Sequence, residues 1–118
     1  MTNYQKGYRF EYKVEKIFKE NGFIATRSPA SKTPIDIYVM GDEVNYVAQC
    51  KTTSKEKLYV YKLTDLIEQA DKINATPLLI YSFYYTTPYV KEVEKPRYSL
   101  SKEKENLELQ NYLKNKEQ

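Results

Sequence analysis

The fold is decided by residues 34–51, which read PIDIYVMGDEVNYVAQCK and contain two β-like runs around Gly41-Asp42. Both runs alternate at the period of two typical of strands, so Gln49 and Lys51 share one face. If the runs pair through a two-residue loop, Asp36 opposes Val47, and with a four-residue loop it opposes Gln49. Directly opposed residues point the same way in either case, whereas a three-residue loop would need a bulge to restore this.

A carboxylate, an amide oxygen and an ammonium on one face suit a metal-dependent nuclease. Carboxylate and amide oxygens bind hard cations such as Mg2+, and the Lys51 ammonium can orient the attacking water. The same spacing also fits an amphipathic hairpin with one solvated face, since isolated polar residues on strands are common. Spacing alone leaves both interpretations open.

Composition excludes several classes of enzyme. The chain has no histidine, which removes Ser-His-Asp triads and His-ligated metal sites. Cys50 is the only cysteine, so no intrachain disulfide can form, and we expect an intracellular protein in which Cys50 is a small buried hydrophobe. No apolar run approaches a membrane span, so we expect no membrane association.

At 118 residues the chain fits one compact domain, which we place at 1–98, followed by a charged tail at 99–118. Charge is unevenly distributed in this domain. Residues 1–34 carry seven Lys or Arg against three acids, whereas residues 35–50 carry three acids and no base. An acidic cluster in a basic protein suits a metal site that faces a polyanion, although a net charge of +3 is also compatible with scattered solvated lysines.

Helical spacing of apolar residues predicts a first helix over 3–21 that ends at Asn21-Gly22. Glu11 lies at the margin of its apolar stripe, where a carboxylate needs a partner. A metal ion would supply one, and a neighbouring Lys or Arg on the helix surface is the alternative.

The remaining elements are a strand at 23–26, a second helix marked by Leu63, Leu66, Ile67, Ala70 and Ile73, and a buried strand at 78–83. Residues 27–34 and 52–57 are predicted loops, and residues 84–98 are irregular or edge-strand material. We expect the tail to be a marginal helix that is exposed, frayed or ordered by a partner chain. The order of elements predicts an α/β sandwich with a mixed sheet.

Several motifs occur in the order found in one known family. They are Lys6-Gly7-Tyr8-Arg9-Phe10-Glu11, Gly22-Phe23 leading to Arg27-Ser28-Pro29-Ala30-Ser31, Pro34-Ile35-Asp36, and Gln49-Cys50-Lys51-Thr52. The set resembles the archaeal and archaeal-virus Holliday junction resolvases of the PD-(D/E)xK nuclease superfamily over roughly residues 5–83. This resemblance implies a restriction-endonuclease-like fold, with a mixed central β-sheet flanked by α-helices.

The resemblance also implies a site and a substrate. Glu11, Asp36 and Gln49 would bind Mg2+, with Mn2+ as a substitute, Lys51 would position the water, and Ser31 and Arg27 would contact the scissile strand. Further DNA contacts are expected at Lys6, Arg9, Lys32, Lys55 and Lys57. A homodimer would present two sites to a four-way DNA junction, in the host cytoplasm if the protein is viral.

Gln49 departs from the family pattern, in which a glutamate is more usual at this position. The loss of one negative charge weakens metal binding, although the amide keeps an oxygen ligand. Two alternatives to a junction resolvase therefore stay open. One is a duplex-cutting, restriction-like endonuclease of the same superfamily, and the other is a non-catalytic dimer that binds DNA.

Overall fold

The computed structural model describes residues 3–29, 33–84 and 86–116 as three helices and seven strands. In chain order these are α1 (Asn3–Glu20), β1 (Ile24–Arg27), β2 (Ile37–Met40), β3 (Asn45–Thr53), β4 (Lys57–Val60), α2 (Thr64–Lys72), β5 (Thr76–Phe83), β6 (Tyr89–Glu92), β7 (Tyr98–Ser101) and α3 (Leu109–Lys116). No helix in these ranges is long and apolar enough to cross a membrane.

A five-stranded mixed sheet, in the order β1-β2-β3-β5-β6, forms the centre of the molecule. Its middle strand β3 pairs antiparallel with β2 and parallel with β5, while the other pairs are antiparallel. The predicted mixed α/β architecture is therefore confirmed. The strand predicted at 78–83 lies inside the sheet as part of β5, and the predicted edge-strand material contains β6.

Two hydrophobic clusters cover the two faces of this sheet. In the first, the cluster beneath α1, Val14 and Phe18 of α1 are fully buried with Ala48 of β3. In the second, the cluster beneath α2, Leu66 of α2 is buried with Val47 of β3. Successive residues of β3 thus enter opposite clusters, as strand geometry requires. Both predicted amphipathic helices are confirmed, but Ile73, a predicted member of the second apolar stripe, follows α2 and is half exposed.

The loop between β2 and β3 has four residues, which is one of the loop lengths predicted from the sequence. Met40 pairs with Asn45, and the amide of Gly41 donates to the carbonyl of Val44 at 3.0 Å. A Cβ on Gly41 would lie 2.6 Å from the Phe23 ring and 2.8 Å from the Val44 oxygen. Only glycine fits this turn without displacing its neighbours.

The predicted loop at 52–57 is wrong at both ends. β3 continues to Thr53, and β4 begins at Lys57 and pairs with β7 in a separate two-stranded sheet. Sequence patterns did not reveal this sheet because its strands have four residues each and lie about 40 residues apart.

The expectation that the tail is exposed or frayed is also wrong for its described part. Leu109, Tyr112 and Leu113 are buried in the cluster beneath α1, and the Gln110 side chain accepts a hydrogen bond from Asn21 at 2.9 Å. Apolar residues at i, i+3 and i+4 give this charged segment one apolar side, which is sufficient to dock a short helix. The helix itself was predicted, and the domain boundary at residue 98 stays a prediction.

Because Leu113 is buried, we expect Leu113→Ala to lower the free energy of unfolding by about 2–5 kcal/mol, the usual cost of truncating a buried leucine. Urea unfolding followed by circular dichroism measures this change. Leu107→Ala is the matched control, because Leu107 is 46% exposed and its truncation leaves stability within about 0.5 kcal/mol. Equal effects of the two substitutions would contradict the docking of α3.

Candidate active site

Asp36 lies directly before β2, at a position where the strand pairing becomes irregular. Ile37 pairs with Ala48, yet the amide of Asp36 also donates to the carbonyl of Ala48, at 2.8 Å. Two consecutive residues therefore oppose one, as in a β-bulge. Ile35 consequently packs in the cluster beneath α2, whereas Ile37 packs beneath α1. The predicted alternation over 35–40 thus fails at its start, and Asp36 is not in regular register with Gln49.

The irregularity brings the Asp36 carboxylate to the backbone of β3. Its Oδ2 atom accepts a hydrogen bond of 2.8 Å from the amide of Cys50, one residue before Lys51. β2 pairs with β3 only as far as Ala48, so residues 49–53 leave an open edge on the side of β2. Gln49 is tied to the preceding loop, because its Nε2 donates to the carbonyl of Pro34 at 3.1 Å.

Glu11 of α1 lies near enough to Asp36 for the two charges to interact. Burial raises the pKa of both Glu11 and Asp36 above their ordinary values, and the charge of Asp36 raises the pKa of Glu11 further. The Cys50 amide and the nearby Lys51 ammonium act in the opposite direction on Asp36. Two partly desolvated carboxylates that repel each other are an arrangement that a divalent cation stabilises.

Cys50 separates Gln49 from Lys51 and packs against the cluster beneath α1. Burial raises the pKa of its thiol well above the ordinary value, and the charges of Asp36 and Glu11 raise it further. A thiol held neutral in this way is a poor nucleophile. Cys50 is only partly buried, so the predicted burial is incomplete, but its packing against apolar residues agrees with the predicted role as a small hydrophobe.

Arg27, the last residue of β1, partners Glu11 in the structure. Its Nη1 lies 3.9 Å from Glu11 Oε1 and its Nε lies 3.7 Å from Glu15 Oε1. The guanidinium also lies over the Tyr8 ring, with Cζ 4.1 Å from the centroid. The predicted alternative to a metal was a Lys or Arg on the helix surface, whereas the cation that pairs with Glu11 comes from β1.

The donor atoms present fit a divalent metal ion that completes its shell with water. The described residues contain no group of three or more His, Cys, Asp or Glu side chains that is placed to hold a metal ion. The carboxylates of Glu11 and Asp36 would therefore need a neutral third ligand, and the predicted third ligand, Gln49 on β3, carries an amide oxygen of the required kind. Because the Gln49 nitrogen is engaged by Pro34, the amide oxygen is the atom available to a cation.

The other predicted DNA contacts occupy different places. Lys6 lines an open cavity of about 270 Å³ with Thr52, Thr53, Ser54 and Tyr84, just beyond Lys51 along β3. Arg9 is exposed on α1, Lys55 lies in the turn after β3, and Lys57 begins β4. Ser31 and Lys32 lie outside the described residues.

Sequence reasoning missed two residues that surround Arg27, namely Tyr8 and Glu15. Their spacing relative to Glu11 was the available signal, because positions i−3 and i+4 lie on the same side of a helix. The pattern could not reveal that the cation opposite them comes from β1, since β1 and α1 meet only in the folded chain.

Partly buried carboxylates near a lysine supply groups that metal-dependent phosphodiester hydrolysis needs. The model of the archaeal Holliday junction resolvase family, Hjc, matches residues 2–118. The chain therefore belongs to this family, whose nucleases are metal-dependent in general.

Two relatives illustrate the likeness. The chain is 30% identical over 82 residues to the crossover junction endodeoxyribonuclease Hjc of Methanocaldococcus jannaschii, and the match covers 68% of this chain and 61% of that protein. The chain thus spans about three fifths of the length of this relative. It also superposes on the solved structure of Hjc from Archaeoglobus fulgidus, a Holliday junction resolvase, with a TM-score of 0.76 and 17% identity, over 92% of this chain and 96% of that one. This second likeness concerns the fold.

The raised pKa values of Glu11 and Asp36 predict a stability cost near neutral pH. Starting from the ordinary values of 4.5 and 3.8, the folded state binds more protons than the unfolded state up to the raised pKa values. The metal-free protein therefore loses stability as pH rises through this window. Asp36→Asn keeps an acceptor for the Cys50 amide and removes the charge, so we expect it to stabilise the metal-free protein at pH 7 by about 0.5–2 kcal/mol.

The measurement is urea unfolding in EDTA at pH 7 and again at pH 4, where the advantage of Asp36→Asn should shrink. Asp42→Asn, in the exposed loop between β2 and β3, is the control and should leave stability unchanged at both pH values. Destabilisation by Asp36→Asn at pH 7 would show that the Asp36 charge is already compensated without a metal.

Proposed function

We propose that this chain is a structure-selective endodeoxyribonuclease that resolves four-way DNA junctions by Mg2+-dependent phosphodiester hydrolysis. The observation that carries the proposal is the electrostatic interaction of two partly buried carboxylates, Glu11 and Asp36, whose pKa values are raised, with Asp36 held on the Cys50 amide and influenced by the Lys51 charge. Membership of the Hjc family supports a junction as substrate.

Glu11, Asp36 and Gln49 are the proposed metal ligands, with Mn2+ as a substitute for Mg2+. A bound divalent ion supplies Lewis-acid activation of water and neutralises charge on the phosphate. The chain prepares the site by holding Asp36 on the Cys50 amide and Gln49 on the Pro34 carbonyl, so that two of the three ligands are oriented before an ion enters.

Lys51 is the proposed water-positioning residue. It is exposed, and its charge lowers the pKa of Asp36, which supports a role for its ammonium beside the proposed metal ligands. Arg27 and Ser31 are proposed to contact the scissile strand. Arg27 presents a planar guanidinium, the group best suited to phosphate oxygens.

Lys6, Arg9, Lys32, Lys55 and Lys57 are proposed to contact the DNA backbone. Such contacts carry no base information, which suits an enzyme that selects a shape. We further propose a homodimer whose two sites make paired symmetric nicks across the junction, because a two-fold enzyme matches two opposed strands. The proposed setting is intracellular, in the host cytoplasm if the protein is of viral origin.

The first experiment compares a labelled immobile four-way junction with the matching linear duplex, with and without Mg2+. We expect paired, Mg2+-dependent nicks in the junction alone. Asp36→Ala should lower the cleavage rate more than about 100-fold, because losing even an outer-shell partner of a metal costs about 10- to 100-fold. Junction binding should persist, since backbone contacts by the basic residues are retained.

Asp42→Ala, outside the site, is the control and should cut at the wild-type rate. Equal cutting of the linear duplex would overturn the junction assignment in favour of a restriction-like enzyme. Tight, salt-sensitive junction binding without any metal-dependent product would identify a non-catalytic DNA-binding dimer, the second candidate, which the neutral amide of Gln49 favours.

Gln49→Glu tests the neutral ligand directly. The added charge should lower the Mg2+ concentration for half-maximal cleavage by about tenfold, because the affinity of such sites follows the number of charged ligands. The measurement is the cleavage rate as a function of Mg2+, with Gln69→Glu on α2 as a control for the added charge. An unchanged Mg2+ requirement would remove Gln49 from the proposed metal ligands.

A further inference from the structure

One side of α1 carries a row of residues spaced by three or four positions, namely Tyr8, Glu11, Glu15 and Lys19. Arg27 lies over this row, with its Nε directed to Glu15, its Nη1 to Glu11 and its plane over the Tyr8 ring. Glu15 divides its two oxygens, since Oε1 faces Arg27 and Oε2 pairs with Lys19 at 3.0 Å. Glu11 and Glu15 thus share one guanidinium.

This sharing has a consequence for the proposed metal site. Glu11 is a proposed ligand, so a divalent cation and the Arg27 guanidinium compete for the same carboxylate, and the two cations repel each other. The side chains are partly screened from water, with 29% of Arg27, 27% of Glu11 and 17% of Glu15 exposed. Their interactions are therefore screened less than those of fully exposed charges.

We infer that Glu15 is a positioning residue that holds Arg27 through its Nε, so that Glu11 is released to the metal while Arg27 stays at the site. The inference rests on the proposed function, because it assigns a partner to a proposed metal ligand. Tyr8 assists by fixing the plane of the guanidinium, and Lys19 by fixing the orientation of the Glu15 carboxylate.

The geometry also keeps Arg27 useful to the substrate. A guanidinium held at Nε by Glu15 retains both terminal nitrogens, which are the pair that binds two phosphate oxygens at once. When Glu11 turns to the metal, Nη1 loses its carboxylate partner and becomes available to the scissile strand. By holding Arg27, Glu15 thereby allows the guanidinium to leave Glu11 and to face the phosphate.

Metal binding without DNA tests this inference independently of cleavage. Free Mn2+ is counted by electron paramagnetic resonance during titration of four proteins: wild type, Glu15→Gln, Arg27→Ala and the double variant. We expect Glu15→Gln to weaken Mn2+ binding about two- to fivefold and Arg27→Ala to strengthen it by a similar factor, in keeping with partly exposed ion pairs. In the Arg27→Ala background, Glu15→Gln should have no further effect. Glu20→Gln, on the exposed part of α1, is the control for the lost charge.

The Arg27 side chain can also be observed directly. The chain has only three arginines, so the Nε–Hε signals in a 15N spectrum can be assigned by substitution. On Mg2+ addition, the Arg27 signal should stay sharp in the wild type and broaden in Glu15→Gln. Glu15→Asp, which keeps the charge, should restore part of the wild-type behaviour, unlike Glu15→Gln.

An equal loss of Mn2+ affinity in both backgrounds would overturn the inference, because Glu15 would then act only as a distant negative charge. A loss of affinity in Arg27→Ala would overturn it as well, since Arg27 would not be a competitor. Asp36→Asn separates the two levels of the proposal. Suppose that Mn2+ binding depends on Asp36 and that junctions are cut, but that the effects of Glu15→Gln and Arg27→Ala on Mn2+ affinity simply add in the double variant. This result would refute the role of Glu15 and leave the proposed function intact. Absence of both properties in the wild type would refute the proposed function and this inference together.

Discussion

The structure depends on the burial of β3 on both faces. This strand separates the two hydrophobic clusters and pairs with β2 on one side and β5 on the other. Because Ala48 and Val47 are fixed in opposite clusters, the strand can neither slide nor rotate without exposing one of them. Its continuation to Thr53, past the end of β2, therefore presents the backbone of Cys50 at a fixed place. The position of Asp36 follows from this, since its carboxylate is held by that backbone amide.

The same arrangement explains why the site is electrostatically costly in the absence of a cation. The scaffold brings Asp36 and Glu11 together in partly desolvated positions, and burial raises the pKa of both. Lys51 and Arg27 offset the cost from two sides, Lys51 acting on Asp36 and Arg27 on Glu11. Stability spent on preorganised charge is characteristic of functional sites, where the ligand later supplies the missing interaction.

Much of this organisation could be predicted from local patterns. The period of two in residues 45–51 and the helical stripes of α1 and α2 are properties of neighbouring residues, and a resemblance to a known family placed Glu11 beside Asp36. The bulge at Asp36 could not be predicted, because it depends on Ile35 finding the cluster beneath α2 and not that beneath α1. The pairing of β4 with β7 and the docking of α3 could not be predicted for a related reason, because each depends on a surface that only the folded chain provides.

The placement of the two cations also bears on the neutral side chain of Gln49. A third carboxylate here would add to the repulsion between Glu11 and Asp36, which Lys51 and Arg27 offset among the residues that the structure describes. With glutamine, the metal-free site carries two acids against two bases and is close to neutral, so the cation-free fold costs less. Under the proposed function, a metal ion would then be attracted less strongly, and its access to Glu11 would depend more on Arg27, the other cation beside this carboxylate. How firmly Arg27 is held would therefore matter more here than at a site with a third acid, and this gives the proposed Glu15 contact its importance.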